Sequence, residues 1–596
     1  MRSVALLLVA VLVLGGTQVL AEAEDTYDVV VLEETWITDR YGDNLKAFLY
    51  FPAIGGVKAR GRLPVVLTLR YPNPATTSER DRVAGVDPAS EAAGFARAGY
   101  VHAQVNWNGT APSDGWDAFF TRRMQLSGYD VVEWLAGFRP DGSPSPAAQW
   151  STGKVGMFGG SGMGYSQILV AQHNPPHLVT ITPHVTVTNP YEDVAYRGGI
   201  RSHDEAAIIG FLFASTQAHC ASVPNDASEA AAIGSCAAKR VERLQIVPSI
   251  PAVEWWQHPT YDAYWHPYTV DVAAIKASIW SLGSWDDNFA RGNRTLYQQA
   301  TSPKLFAVGF KGHSIGPGFD LVAETVRWFD YWLKGHRKNG VADDLRKRRF
   351  RYYVQRERVW RSAADWPVPG TRYTNYYLSD GADIAGSVGG LSRQLPSSSG
   401  FDEYVYEPTQ GRHNGQNGVP GRGPGPDTAD SDEFLNSNAP LQPGDQRLEA
   451  DTPTYVGPVL ERDTEVTGPI RMTVYASSTA QDTDFVVKLL DVFPEGDADP
   501  GRPQPGFWYR VTTGWLKGTH RNGHLSPEPI PVGEVVGYDI EIFATSYLFR
   551  AGHRIGVQVG SADASRSWPN PIPAMNTIYR SPQYPSHITL PIIPRS

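Results

Sequence analysis

A chain of 596 residues has room for about two to four domains, which excludes a single small binding module. Lys+Arg 53 against Asp+Glu 62 leaves a net charge of −9, too dilute over this length for a field that gathers polyanions, so nucleic acid is excluded as a partner. With 41% apolar residues, 58 Gly, 46 Pro and only 2 Cys, the chain can bury a core rich in turns and strands, and it holds neither a zinc finger nor a disulfide scaffold.

The N-terminus reads Met1-Arg2-Ser3, then an apolar run from Val4 to Leu14, then small residues ending in cleavage candidates at Ala21 or Ala23. This is the pattern of a secretory signal peptide over residues 1–21, with an uncleaved anchor helix as the alternative. The mature protein is therefore expected to be periplasmic or secreted, with no stable membrane span after cleavage. In that compartment Cys220 and Cys236 are open to pairing, and two free thiols stay open as well.

From residue 25 to 194, apolar strand patterns alternate with helical ones. Leu63–Arg70, Gly99–Val105 and Lys154–Phe158 read as strands, and Ser90–Ala98 and Met124–Phe138 as helices, which predicts a parallel sheet covered on both faces. Residues 195–272 lose the strand pattern. Helical runs at Asp204–Ala218 and Ser228–Leu244 precede an aromatic cluster of Trp255, Trp256, Tyr261, Tyr264, Trp265 and Tyr268, read as an inserted helical cap. Strands return at Ala277–Gly283 and Lys304–Gly309, with a helix over Leu321–Lys334, so residues 273–347 form a second part of the same core. From 348 to 596, short strands separated by Gly, Pro, Asn and Asp predict an all-β sandwich. Within it, residues 409–443 read as a solvated loop, and its acidic run near Asp427 leaves a calcium site open.

The sharpest local signal is Lys154-Val-Gly-Met-Phe-Gly-Gly-Ser-Gly-Met-Gly-Tyr165, a strand entering glycines around Ser161 and then a helix. A serine on a strand-to-helix elbow needs small neighbours, which makes Ser161 the candidate nucleophile, with the backbone N–H of Gly162 as one oxyanion donor. A phosphate-binding turn is the alternative, weakened by its position deep in the chain and by the lack of an acidic residue about 20 residues on. The partners of such a serine follow it in the order acid, then histidine, in loops at the carboxyl ends of core strands. Asp286, after Ala277–Gly283, is the expected acid, with Asp287 as its rival, and His313, after Lys304–Gly309, is the expected base.

Gly156–Gly164, Asn174-Pro-Pro-His-Leu178, Gly283-Ser-Trp-Asp286, Gly312-His313 and Phe329–Gly335 resemble the Xaa-Pro dipeptidyl-peptidase, cocaine esterase and α-amino-acid ester hydrolase family. Asp482–Phe485, Asp491–Pro494, Gly533–Val536 and Phe549–Ile555 resemble its C-terminal jelly roll, where His553 is a structural residue. The resemblance implies an α/β-hydrolase core with an inserted helical cap and a C-terminal jelly-roll domain, and a triad of Ser161, Asp286 and His313. It also implies a tyrosine oxyanion donor at Tyr71, although Arg70-Tyr71-Pro72 departs from the family's Pro-Tyr order. The ester hydrolases of the family hold a substrate ammonium with three carboxylates. Here only Asp193 matches, and Asn288 and Phe289 stand at the other two places. The expectation is thus a serine hydrolase of small acyl esters or amides, with a dipeptidyl-peptidase and an inert surface binding protein as alternatives. Asp193, Asp287, Trp255, Trp256 and Trp265 are its candidate substrate contacts. This chemistry calls for no metal or organic cofactor.

Overall fold

The computed structural model describes residues 27–70, 86–110, 113–115, 120–203, 254–310, 312–381, 387–408, 452–494, 508–563 and 566–595. The signal-peptide segment, Tyr71, Cys220, Cys236, both helical runs of the cap and the acidic loop near Asp427 lie outside these residues.

The first domain is built on one sheet. Its strands are β1 (Val29–Thr38), β2 (Asn44–Ile54), β3 (Leu63–Arg70), β4 (Val101–Asn106), β5 (Ser151–Gly160), β6 (Leu178–His184), β7 (Ser278–Ser284), β8 (Lys304–Gly309), β9 (Phe350–Val354) and β10 (Val359–Ala363). They lie in the order β1-β2-β4-β3-β5-β6-β7-β8-β9-β10, with the two residues Val57–Lys58 paired to the side of β2. Every pairing from β4 through β3 to β9 is parallel, and the antiparallel ones sit at the two ends. Parallel strands buried on both faces read as near-continuous apolar runs. In β3, Val65, Leu67 and Leu69 pack into one core cluster while Val66 packs into a second on the other face.

The helices α1 (Glu91–Arg97), α2 (Arg122–Ala136), α3 (Gly162–Ala171), α4 (Ala290–Gln299) and α5 (Leu321–Phe329) cover those faces. Met124 and Val131 of α2 join Ile168 and Leu169 of α3 in the first cluster, and Phe95 of α1 joins Trp328 and Phe329 of α5 in the second. Local chemistry sets the ends. Ser90 Oγ accepts from Ala93 N at 3.2 Å to start α1, Asp320 Oδ1 accepts from Ala323 N at 3.0 Å to start α5, and Gly137 at φ 115° closes α2. Helix α3 is buried almost all round, as its run Tyr165-Ser-Gln-Ile-Leu-Val-Ala171 requires.

Phe350–Val354 corrects the expected boundary at 348. It pairs parallel with β8, and β10 pairs with it in turn, so the first sheet runs on to Ala363. A short apolar strand near a domain junction has no period that says which sheet it joins.

The second domain is all-β: β11 (Arg372–Ser379), β12 (Gly389–Ser392), β13 (Gly400–Tyr406), β14 (Thr454–Val456), β15 (Thr464–Ser478), β16 (Asp484–Val492), β17 (Trp508–Lys517), β18 (Val536–Phe549), β19 (Arg554–Gly560), β20 (Ala574–Arg580) and β21 (His587–Ile593). Their order is β13-β20-β15-β18-β17-β16-β19-β14-β12-β11-β21, and β15 also pairs β21, so the path returns on itself. His553 lies inside, where its Nδ1 pairs with Asp491 Oδ1 at 2.8 Å and Tyr547 Oη donates to the other carboxylate oxygen at 2.9 Å.

The two domains meet behind β9. Gln355 N donates to Ser546 O at 3.0 Å and Gln355 O accepts from Leu548 N at 3.2 Å, while Arg294 of α4 pairs with Glu541 of β18. At the end of β8 the following loop folds straight back over the strand, so a Cβ added at Gly309 would lie 1.4 Å from Ile315 O. Gly309→Ala is expected to destabilise the protein by more than about 3 kcal/mol in urea unfolding, because the clash is with backbone.

Candidate active site

Register places the site. Gly160 of β5 pairs with His184 of β6, and His184 pairs with Leu282 of β7, so neighbouring parallel strands end on one line across the sheet. Ser161 follows the first of these ends and His184 is the second. Asp286 and Asp287 follow β7, and His313 follows β8.

Ser161 sits between β5 and α3 at φ 58° and ψ −128°, a strained conformation for a residue with a side chain. Its N–H donates to His184 O at 3.0 Å, and its C=O accepts from Gly164 N and Tyr165 N at 2.9 Å each. These bonds hold the elbow against its strain. The neighbouring glycines are required by contact. A Cβ on Gly160 would come within 2.4 Å of the His184 ring, and one on Gly164 within 2.7 Å of His184 O. Gly162 is the first residue of α3, where helix geometry leaves its N–H without an intrahelical acceptor.

Asp287, and not Asp286, meets His313. Asp287 Oδ2 lies 2.6 Å from His313 Nδ1, and Asp287 Oδ1 accepts from Phe289 N at 2.6 Å. Asp287 is buried at 1% exposure, whereas the His313 side chain is 37% exposed. A carboxylate only accepts, so Nδ1 carries the proton and Nε2 is left as the basic nitrogen. The edge of Phe289 packs on the imidazole at 5.4 Å between ring centroids. The expectation of Asp286 fails because the turn after β7 directs that carboxylate to Ser284 Oγ at 2.6 Å and Gly312 N at 2.9 Å. Two adjacent aspartates on one turn cannot be separated by sequence spacing alone.

Burial pushes the His313 imidazole down, but the charge and hydrogen bond of Asp287 outweigh it and leave its pKa above the ordinary value. His184, which no sequence pattern singled out, is the second imidazole here. Burial and the neighbouring His313 push it down to about 4 against a hydrogen bond with the Thr182 backbone, so it stays neutral beside Ser161. Its one available signal was its place at the carboxyl end of Leu178–His184.

The other candidates are placed elsewhere. Asp193 is fully buried, and Thr188 N at 2.7 Å, Thr188 Oγ1 at 3.1 Å and Asn189 N at 2.9 Å all donate to its Oδ2. Its Oδ1 takes Arg291 Nη1 at 2.9 Å, and Arg291 also pairs with Glu192 at 2.7 Å. Asp193 therefore spends both oxygens inside the protein and is not a substrate contact. Trp265 and Trp255 are buried at 0% and 1% exposure and pack on each other at 5.4 Å, so they are core and not pocket wall. Trp256 is 53% exposed and lies over the Arg201 guanidinium at 5.5 Å. From the β domain, Arg566 Nη1 donates to Asn288 Oδ1 at 2.9 Å, one residue beyond Asp287.

Residues 41–318 match the X-Pro dipeptidyl-peptidase (S15 family) domain, and residues 339–589 match the X-Pro dipeptidyl-peptidase C-terminal non-catalytic domain. Over 502 residues the chain is 28% identical to a cocaine esterase of Rhodococcus sp., covering 75% of this chain and 82% of that protein. Over 654 aligned positions it is 26% identical to a putative serine esterase of Mycobacterium bovis, covering 94% and 95%. The fold matches a CocE/NonD family hydrolase from Staphylococcus aureus with a TM-score of 0.68 at 19% identity, covering 95% of this chain and 94% of that one.

The two histidines are expected to titrate apart in an NMR titration of ring-labelled protein. His313 is expected to change charge above the ordinary imidazole pKa of about 6.5, and His184 near 4. Asp287→Asn is expected to lower the His313 value, since burial then acts without the opposing charge.

Proposed function

The chain belongs to the X-Pro dipeptidyl-peptidase (S15) family and is a hydrolase, and we propose that it is an exported serine esterase that cleaves acyl esters through Ser161, His313 and Asp287. The observation that carries the reading is the Asp287–His313 bond at 2.6 Å in the loops after β7 and β8, at the same end of the sheet where Ser161 is held at φ 58° after β5.

In the proposed reaction His313 Nε2 takes the proton of Ser161 Oγ as the oxygen attacks the acyl carbon. Asp287 fixes the tautomer and stabilises the imidazolium that forms. The carbonyl oxygen, now an oxyanion, accepts from Gly162 N–H, with the Tyr71 hydroxyl as the second donor carried by the family resemblance. Collapse expels the alkoxide, which takes the proton from His313, and leaves the acyl group on Ser161. Water then attacks the acyl carbon as His313 removes its proton, and the second collapse frees the carboxylic acid and restores Ser161. Neutral His184 suits this cycle, because a second positive charge beside His313 would oppose each uptake of a proton by that ring.

Asp193 supports an ester without a free amine over an Xaa-Pro peptide. Recognition of a peptide N-terminus needs an available carboxylate, and Asp193 is saturated by three donors and Arg291. In this reading residues 195–272 are a cap over the pocket and the C-terminal domain is the family's jelly roll. The bond from Arg566 to Asn288 supports a share of the pocket wall for that domain. Export rests on the pattern of residues 1–21, which supports a mature protein in the periplasm or outside the cell.

Purified mature protein is expected to hydrolyse a short p-nitrophenyl ester and to leave Gly-Pro-p-nitroanilide untouched. Ser161→Ala is expected to lower kcat by at least about 10⁴-fold, and Asp287→Asn by about 10⁴-fold, with KM little changed. Turnover of the anilide at a comparable kcat/KM would move the assignment to the dipeptidyl-peptidase.

A further inference from the structure

Two carboxylates stand side by side after β7, and the one that does not touch the imidazole still touches its loop. Ser284 Oγ donates to Asp286 Oδ1 at 2.6 Å, and Gly312 N donates to the same oxygen at 2.9 Å. Ser284 is the last residue of β7, and Gly312 is the residue before His313. A single oxygen thus joins the end of one strand to the peptide that carries the proposed base.

The placement is costly, which argues against incidental capping. Burial, with the Asp287 charge next to it, pushes the Asp286 carboxyl up to about 6 despite both hydrogen bonds. A neutral serine would cap the residues of its own turn without like-charge repulsion, but its hydroxyl would not reach across to Gly312. The Asp287 bond orients the His313 ring but does not fix the backbone from which that ring extends, and the ring is 37% exposed. Gly312 itself is at φ 47°, a left-handed conformation that glycine adopts freely, so its own backbone does not fix the peptide that leads into His313. Trp285 N donates to Gly309 O at 3.0 Å and ties the same two strand ends one step further back.

We propose that Asp286 is a positioning residue that fixes Gly312, and through it His313, opposite Ser161. The proposal rests on the reading of His313 as the general base. It assigns the two aspartates separate tasks: Asp287 holds the ring, and Asp286 holds the loop. The working part of Asp286 is its acceptor oxygen, so an asparagine in its place retains the function and a side chain without a reaching acceptor does not.

The test compares Asp286→Ala and Asp286→Asn on the p-nitrophenyl ester, with melting temperature and fluorophosphonate labelling of Ser161 followed alongside. Asp286→Ala is expected to lower kcat and the labelling rate by about 10- to 100-fold with KM within about twofold, as loss of alignment predicts. Asp286→Asn is expected to stay within about threefold of the wild type. If Asp286→Ala does not fold, Asp286→Ser, whose hydroxyl is too short to reach Gly312, is expected to show the same loss. Full activity of the folded alanine or serine variant overturns the proposal, and so does equal loss in the asparagine variant. His313→Ala and Asp287→Asn separate the two readings. Both inactive beside an active Asp286→Ala defeats only the positioning role, whereas activity in His313→Ala defeats the general-base reading beneath it.

Discussion

The hydrogen bond between Asp287 and His313 is the constraint on which the rest of the site depends. At 2.6 Å, with the carboxylate at 1% exposure, it selects one tautomer of the ring and raises its proton affinity against the opposing effect of burial. Asp287 can be buried because Phe289 N satisfies its second oxygen. That N–H is available because α4 starts immediately afterwards, at Ala290. The helix start and the orientation of the His313 ring are therefore one arrangement.

The serine side of the site follows the same logic with backbone in place of charge. Ser161 occupies a conformation that costs free energy, and three hydrogen bonds to its own peptide groups, one of them to His184 across the β5–β6 pairing, offset that cost. His184 has two effects. Its carbonyl anchors the elbow, and its ring lies on Gly160 so closely that no side chain fits there. Burial and the neighbouring His313 keep the ring uncharged where a cation would disturb His313.

Much of this was legible in the sequence. Strands such as Leu63-Pro-Val-Val-Leu-Thr-Leu-Arg70 declare themselves because a parallel sheet buries both faces, and the elbow declares itself because glycines flank Ser161 on both sides. His313 was legible from topology, as the histidine after the strand Lys304–Gly309. The choice of acid was not. Asp286 and Asp287 are adjacent, and the turn geometry that sends one to Gly312 and the other to His313 is set by where α4 begins. Asp193 and the tryptophans misled for a related reason. Composition marked them as ligand-binding types, but whether Asp193 faces a pocket or Arg291, and whether Trp255 and Trp265 line a cleft or each other, depends on packing between segments distant in sequence. Phe350–Val354 likewise carries no mark of the sheet it joins.

One measurement tests the central claim directly: intact-mass and peptide mapping after reaction with a fluorophosphonate, run at one pH on the wild type, Asp287→Asn and Asp286→Asn. The account predicts a single adduct on Ser161, formed at near wild-type rate in Asp286→Asn and slowed by orders of magnitude in Asp287→Asn. An adduct elsewhere, or labelling of Asp287→Asn at the wild-type rate while Asp286→Asn stays unlabelled, would contradict it.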